Sequence, residues 1–189
     1  LAFAAGFLRF FLDYGFFTYL PLFVIRSHGL STAGAGLLRS FPALGAMVTS
    51  SQAGRLASLW DKGSLVLGAF VVSGFALLAF PFTPDMKTMA PVLLFYGVAN
   101  GVISPMQKSL LTQNAPLELR GGVISLDRLC QQIAKTAGVS GIGLLLGMWE
   151  LSTIFWGMAF LSFVSVGLMA PLAWSSRDQN RTTDAKPPR

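Results

Sequence analysis

Charged residues are scarce in this chain. Of its 189 residues, 12% are Asp, Glu, Lys or Arg, whereas about a quarter would be charged in an ordinary soluble domain. There is one cysteine, Cys130, and one histidine, His28. A single thiol excludes an intramolecular disulfide, and a single imidazole excludes a multi-histidine metal site. No carboxylate set is spaced for a metal either. Catalysis by a Ser-His-Asp set would have to recruit His28 from a short connecting loop. No glycine-rich phosphate loop ending in Gly-Lys-Ser/Thr occurs, which argues against ATP hydrolysis. These absences describe a protein that is not an enzyme, with no catalytic residues, no metal and no cofactor.

What the chain has in excess is apolar surface: 53% hydrophobic residues, sixteen Phe, twenty Gly and a mean hydropathy of +0.61. An apolar helix of about 20 residues crosses the hydrocarbon of a bilayer. Six segments of that kind are read, at 2–25, 32–51, 64–82, 88–111, 123–147 and 151–174. Together they predict an all-α membrane domain over 1–174. A soluble bundle needs polar faces on most helices, yet 64–82 and 151–174 carry no charge. The short alternation of barrel strands is also missing. Residues 175–189 are polar and predict a disordered, basic tail. The start at Leu1 suggests a fragment or processed product, and Arg9 and Asp13 make the first segment unlike a secretory signal.

The formal charge of +6 has a topological meaning. Arg55 and Lys62 follow segment two, Lys108 and Arg120 lie at the end of segment four, and Arg177, Arg181, Lys186 and Arg189 fill the tail. The opposite side offers Arg26 and Lys87, offset by Asp85 and Glu150. Short basic loops stay in the cytoplasm, so both ends are assigned there. The basic balance then requires no nucleic-acid partner.

Charges inside a bilayer face protein or water-filled space. Segments three and six, without charge, are expected at the lipid-facing periphery, and the other four around a polar interior. Arg9 and Asp13 share one helix face at a spacing of four; with Tyr14, Tyr96 and Asn100 they are the candidates for substrate or proton binding. The alternative for Arg9 and Asp13 is a mutually neutralising pair. Arg39 falls roughly 10 Å into segment two. In segment five, Arg128, Gln132 and Lys135 form one stripe, with Asp127 and Gln131 on a second. Arg39, Asp127, Arg128, Gln132 and Lys135 are candidates for gate or substrate contacts, with structural contact between helices as the alternative. Gly97 and Gly101, and Gly143 and Gly147, repeat at four, a spacing that lets membrane helices approach closely.

The connecting loops carry a resemblance. The stretch GRLASLWDKG, 54–63, resembles the Gly-x-Leu-Ala-Asp-Arg-x-Gly loop signature of the major facilitator superfamily, with Gly54, Arg55, Leu56, Asp61, Lys62 and Gly63 as the residues concerned. Gly54, Leu56 and Ala57 match; Ser58 replaces the usual Asp, and Asp61-Lys62-Gly63 is out of register. APLELRGG resembles the family's Pro-x-Glu-x-Arg-Gly turn through Pro116, Glu118, Arg120 and Gly121. LCQQIAKTAG is similar to the family's eleventh helix and DYGFFTYLPLFV to its seventh.

The resemblance implies helices seven to twelve of a twelve-helix transporter, built as three-plus-three inverted repeats around a central cavity, with the N-terminal six-helix half as partner. It places Arg9, Asp13, Tyr96 and Asn100 near substrate. Arg39, Asp127, Arg128 and Lys135 are then interdomain or gate candidates as much as substrate contacts, Gly54 permits close helix approach, and Glu118 and Arg120 cap the start of helix five. The implied function is secondary transport of small organic molecules, by proton-coupled export (an efflux antiporter of the cell membrane, bacterial inner membrane above all). Uptake of an anionic metabolite is one alternative, and a truncated, non-transporting membrane fragment another.

Overall fold

The computed structural model describes residues 2–113 and 116–184. Six long helices account for nearly all of them: α1 (Ala2–His28), α2 (Thr32–Leu59), α3 (Lys62–Ala79), α4 (Met86–Gln113), α5 (Arg120–Leu145) and α6 (Leu151–Asp184). Short 3₁₀ turns follow α3 at Phe80–Phe82 and precede α5 at Leu117–Leu119.

Local chemistry sets the boundaries. Gly29 ends α1 with φ +63°, and its N–H donates to the Ile25 carbonyl at 3.1 Å, the left-handed termination that glycine adopts without strain. Ser31 caps α2 by accepting from Gly34 N at 3.2 Å, and Asp61 caps α3 by accepting from Ser64 N at 3.1 Å. Nothing in 52–59 stops α2. A loop over 52–63 is expected, but the helix runs to Leu59, so Gly54, Arg55 and Leu56 lie on its last turns. The polar tail is likewise helical as far as Asp184, because no Gly or Pro interrupts 175–184. Residues 185–189 lie outside the described residues.

By length and composition, four helices are apolar enough to cross a membrane: Phe3–His28, Lys62–Phe82, Met86–Ser109 and Leu151–Leu168. The sequence puts six segments across. α2 and α5 match the others in length, 28 and 26 residues, but α2 carries Arg39 with a run of hydroxyls and α5 carries Asp127, Arg128 and Lys135. Helices of that composition cannot stand in lipid on all sides.

The helices pack in the order α2, α4, α3, α6, α1, α5. The main core lies where α1, α3, α4 and α6 meet, around Phe16, Leu20, Phe23, Leu93 and Met158. Phe16 makes edge-to-face contacts with Phe80 at 5.2 Å and Phe155 at 5.3 Å, the arrangement that ring quadrupoles favour. A second cluster gathers Ala53, Val66, Phe70, Ile103 and Met106 toward the other end. Val72 and Phe75 of α3 and Phe160 and Val164 of α6 remain exposed, as expected for the charge-free pair.

The closest approach is between α2 and α4. A Cβ on Gly97 would strike the Pro42 backbone, one on Gly45 the Leu94 carbonyl, and one on Gly101 the Ala46 backbone. Thr49 Oγ1 bridges the seam by donating to the Val98 carbonyl at 3.0 Å. These obstacles are main chain, so they cannot swing aside. Gly97→Val should therefore lower stability in detergent by about 1–3 kcal/mol, the cost of overpacking. Gly68, with nothing within 4 Å of its absent Cβ, should accept Ala with no loss. Thermal unfolding of both variants checks the contrast.

Candidate functional site

The polar residues of α1 and α4 meet at the middle of the bundle. Arg9 is 6% exposed, and its guanidinium is shared among four partners. Nε and Nη2 donate to Asn100 Oδ1 at 3.1 and 2.9 Å, Nη2 to Ser104 Oγ at 2.9 Å, and Nη1 to Gln107 Oε1 at 3.3 Å. Asp13 Oδ2 lies 3.4 Å from Nε. The Tyr96 hydroxyl donates to the other Asp13 oxygen, and Asn100 Nδ2 donates to the Tyr96 carbonyl at 3.3 Å. The rigid fork of five N–H donors suits this use. Gly6 lies beside it, where an added Cβ would displace the end of the Gln107 side chain.

On one side of this network lies a cavity of about 350 Å³ between α1, α2 and α4. Asp13, Tyr14 and Phe17 of α1, Arg39 and Pro42 of α2, and Asn100 of α4 are among its walls. All five residues expected at a substrate or proton site therefore lie in or against one cluster. Ser104 completes it without having been singled out by the sequence. The signal was present: 96, 100, 104 and 107 follow a helical period of four, four and three, one polar stripe down α4.

The gate candidates separate. Arg39 lines the cavity and has no hydrogen bond or ion pair among the described residues. Asp127 is buried and accepts from Gln131 Nε2 at 2.6 Å. With Lys108 and Arg128 it lines a second cavity, of about 500 Å³, between the ends of α4 and α5. Gln132 points outward, exposed. Lys135 parts from the stripe expected with Arg128 and Gln132. Its Nζ sits 4.4 Å from the Tyr14 ring centre and 5.6 Å from that of Phe10, cation–π contacts in place of a carboxylate. Arg9 lies 5.1 Å from the same Phe10 ring.

Around the signature residues the arrangement departs from expectation. A Cβ on Gly54 would meet nothing within 4 Å, so no close helix approach occurs there within this chain. Asp61 serves as the α3 cap and also accepts from Ser64 Oγ at 3.1 Å. Lys62 Nζ reaches Ser109 Oγ at 3.3 Å, tying α3 to the end of α4, and Gly63 is buried. Glu118, Arg120 and Gly121 are exposed. The N-cap position of α5 is Leu119, whose side chain makes no cap hydrogen bond, and Glu118 lies in the 3₁₀ turn just before it.

The Arg9–Asp13 pair makes a double-mutant test possible. Arg9→Met leaves a buried carboxylate without its counter-charge and should cost about 3–5 kcal/mol. Adding Asp13→Leu should restore much of that loss. Unfolding of the single and double variants measures the coupling, and additive losses would deny it.

Comparison with known proteins places this geometry in a family. Residues 2–188 match the model of the Major Facilitator Superfamily. The chain is 25% identical over 159 residues to the probable anion transporter 3, chloroplastic, of Arabidopsis thaliana, covering 83% of this chain and 30% of that protein. It is 23% identical over 104 residues to the multidrug resistance protein MdtG of Enterobacter lignolyticus, covering 55% of this chain and 25% of the relative. The MdtG of Klebsiella pneumoniae is 21% identical over the same length. The matched stretch thus spans between a quarter and a third of the length of these relatives. A helical chain with apolar spans, matched almost from end to end, belongs to the Major Facilitator Superfamily, a family of membrane transporters and not of enzymes.

Proposed function

We propose that the chain is the C-terminal half of a secondary transporter that moves small organic molecules by alternating access. The observation that carries the reading is the buried Arg9–Asp13–Tyr96–Asn100 network forming one wall of the 350 Å³ cavity. Ionisable groups at that depth are costly even when paired, and where they line a cavity they mark paths for a substrate or a proton. The N-terminal half of the same protein is the partner that closes the cavity. Both ends of this segment lie in the cytoplasm, and the membrane is a bacterial inner membrane. Exposed apolar residues of α2 and α5, such as Met47, Val48, Leu129 and Ile133, supply a surface for that partner.

The packing supports a three-plus-three repeat. Exchanging α1, α2 and α3 with α4, α5 and α6 carries the α2–α4 contact onto α5–α1 and the α3–α4 contact onto α6–α1, while α3–α6 maps onto itself. Inverted repeats of three helices have this property.

Export driven by protons is the reading that Asp13 favours, since its carboxyl group can carry the coupled proton. In the full-length transporter, Asp13→Asn should abolish transport driven by a pH gradient while leaving the amount of protein in the membrane unchanged. Unaltered coupling in that variant would reject the assignment. One observation favours the second reading, uptake of an organic anion: Arg39 on the cavity wall has no acidic partner among the described residues. Arg39→Gln should then slow anion uptake by about tenfold or more at low salt, through loss of attraction into the cleft. Transport of a neutral amphiphile should stay unchanged. Equal effects on both substrates would remove the anion reading.

A further inference from the structure

The network has a second side. Beyond the 350 Å³ cavity, Arg9, Asp13 and Asn100 also wall, together with Tyr96, a small space between α1, α3, α4 and α6. Ser73 of α3 and Ser162 and Ser165 of α6 line it from the other side. Its volume is about 10 Å³, close to the room that one water molecule needs.

Three buried serines are unexpected on the two helices that carry no charge in their apolar segments. Ser165 is 1% exposed, Ser162 4% and Ser73 6%. Ser73 Oγ donates to the Phe70 carbonyl at 2.9 Å and Ser165 Oγ to the Leu161 carbonyl at 3.3 Å, so each oxygen keeps acceptor capacity. Ser162 makes no side-chain hydrogen bond among the described residues, and it borders the space. No fully buried side-chain oxygen lacks a partner among the described residues, so the Ser162 hydroxyl opens onto this space, in a seam between apolar helices where Ala would pack as well. Gly74 across the seam keeps room for it, since a Cβ there would lie 3.4 Å from Ser162 Oγ.

We propose that this space binds one water molecule, held between Ser162 and the Asp13–Tyr96 pair. A water has two donors and two acceptor sites, and the walls offer carboxylate, phenol and hydroxyl oxygens to meet them. A sodium ion suits the space less well, because the Arg9 guanidinium stands in the same wall and one water's volume leaves no room for a full oxygen shell. Resting on the carrier reading, the water has a function: it solvates Asp13 on the face that substrate cannot reach. The carboxyl group then keeps access to solvent hydrogen bonds while the large cavity is occupied.

The test uses the full-length transporter. A structure at a resolution that reveals ordered solvent should place a water within hydrogen-bond distance of Ser162 Oγ and the Asp13 carboxylate. Ser162→Val, which fills the space with methyl groups, should lower kcat for proton-coupled transport by about tenfold, short of the 10²–10⁴ attributed to a direct proton-transfer group. KM for substrate should hold, and Ser162→Ala, which leaves the space open to water held by Asp13, should lose less of the rate. Dry space beside Ser162 in an active carrier would overturn the proposal, as would a sodium-dependent density there. An ordered water in a protein that transports nothing would reject the carrier reading and leave the water site standing.

Discussion

An arginine placed in a lipid-spanning helix must find acceptors within its own protein, and that constraint organises the centre of this bundle. Arg9 is buried within α1, so its donors are met chiefly from within the protein. Asp13, one turn later, supplies the counter-charge from the same helix. A single carboxylate cannot satisfy five donors, so the remaining N–H groups turn to α4 and take Asn100, Ser104 and Gln107. The polar stripe of α4 is thereby fixed against α1. Once that face is fixed, the opposite face of α4 is left for α2 and α3.

The glycines act on the same geometry from outside. At the α2–α4 seam, Gly45, Gly97 and Gly101 let backbone meet backbone. At the α1–α5 seam, a Cβ on Gly138 would strike the Phe11 carbonyl, and Tyr19 reaches across to the Val139 carbonyl at 3.0 Å. Each of the two central helices is therefore bound tightly to one partner, α4 to α2 and α1 to α5. Where α1 and α4 face each other, the contact is made largely by hydrogen bonds and rings. α3 and α6 then close the bundle around both pairs through the apolar core that they share with α1 and α4.

Much of this was legible from residue types. Long apolar runs mark the helices, and a spacing of four pairs Arg9 with Asp13. Tyr96 and Asn100 stood out as polar groups deep in an apolar segment. What escaped notice depended on tertiary neighbours. Ser104 is an ordinary serine until Arg9 reaches it, and Ser162 is one of several small residues in α6 until a space appears beside it. Lys135 shared a helical stripe with Arg128 and Gln132, yet a long side chain chooses among neighbours that a helical wheel does not contain; here it chose two aromatic faces. The end of α2 was misread because Gly54 resembled a loop signature, although a lone glycine only weakens a helix.

The placement of charge around the large cavity connects the two transport readings. With Asp13 ionised, Arg9 is neutralised and Arg39 contributes the uncompensated positive charge of the lining. When Asp13 takes up a proton, Arg9 loses its counter-charge and the cavity gains one further positive charge. An anionic substrate binds better in that state, so by reciprocity it favours protonation, and proton and anion travel together. A cationic substrate meets the opposite sign: it binds better to the ionised site, favours release of the proton, and exchanges with it. On either reading the direction of coupling follows from the charge of the substrate, because the change in cavity charge at Asp13 is the same in both.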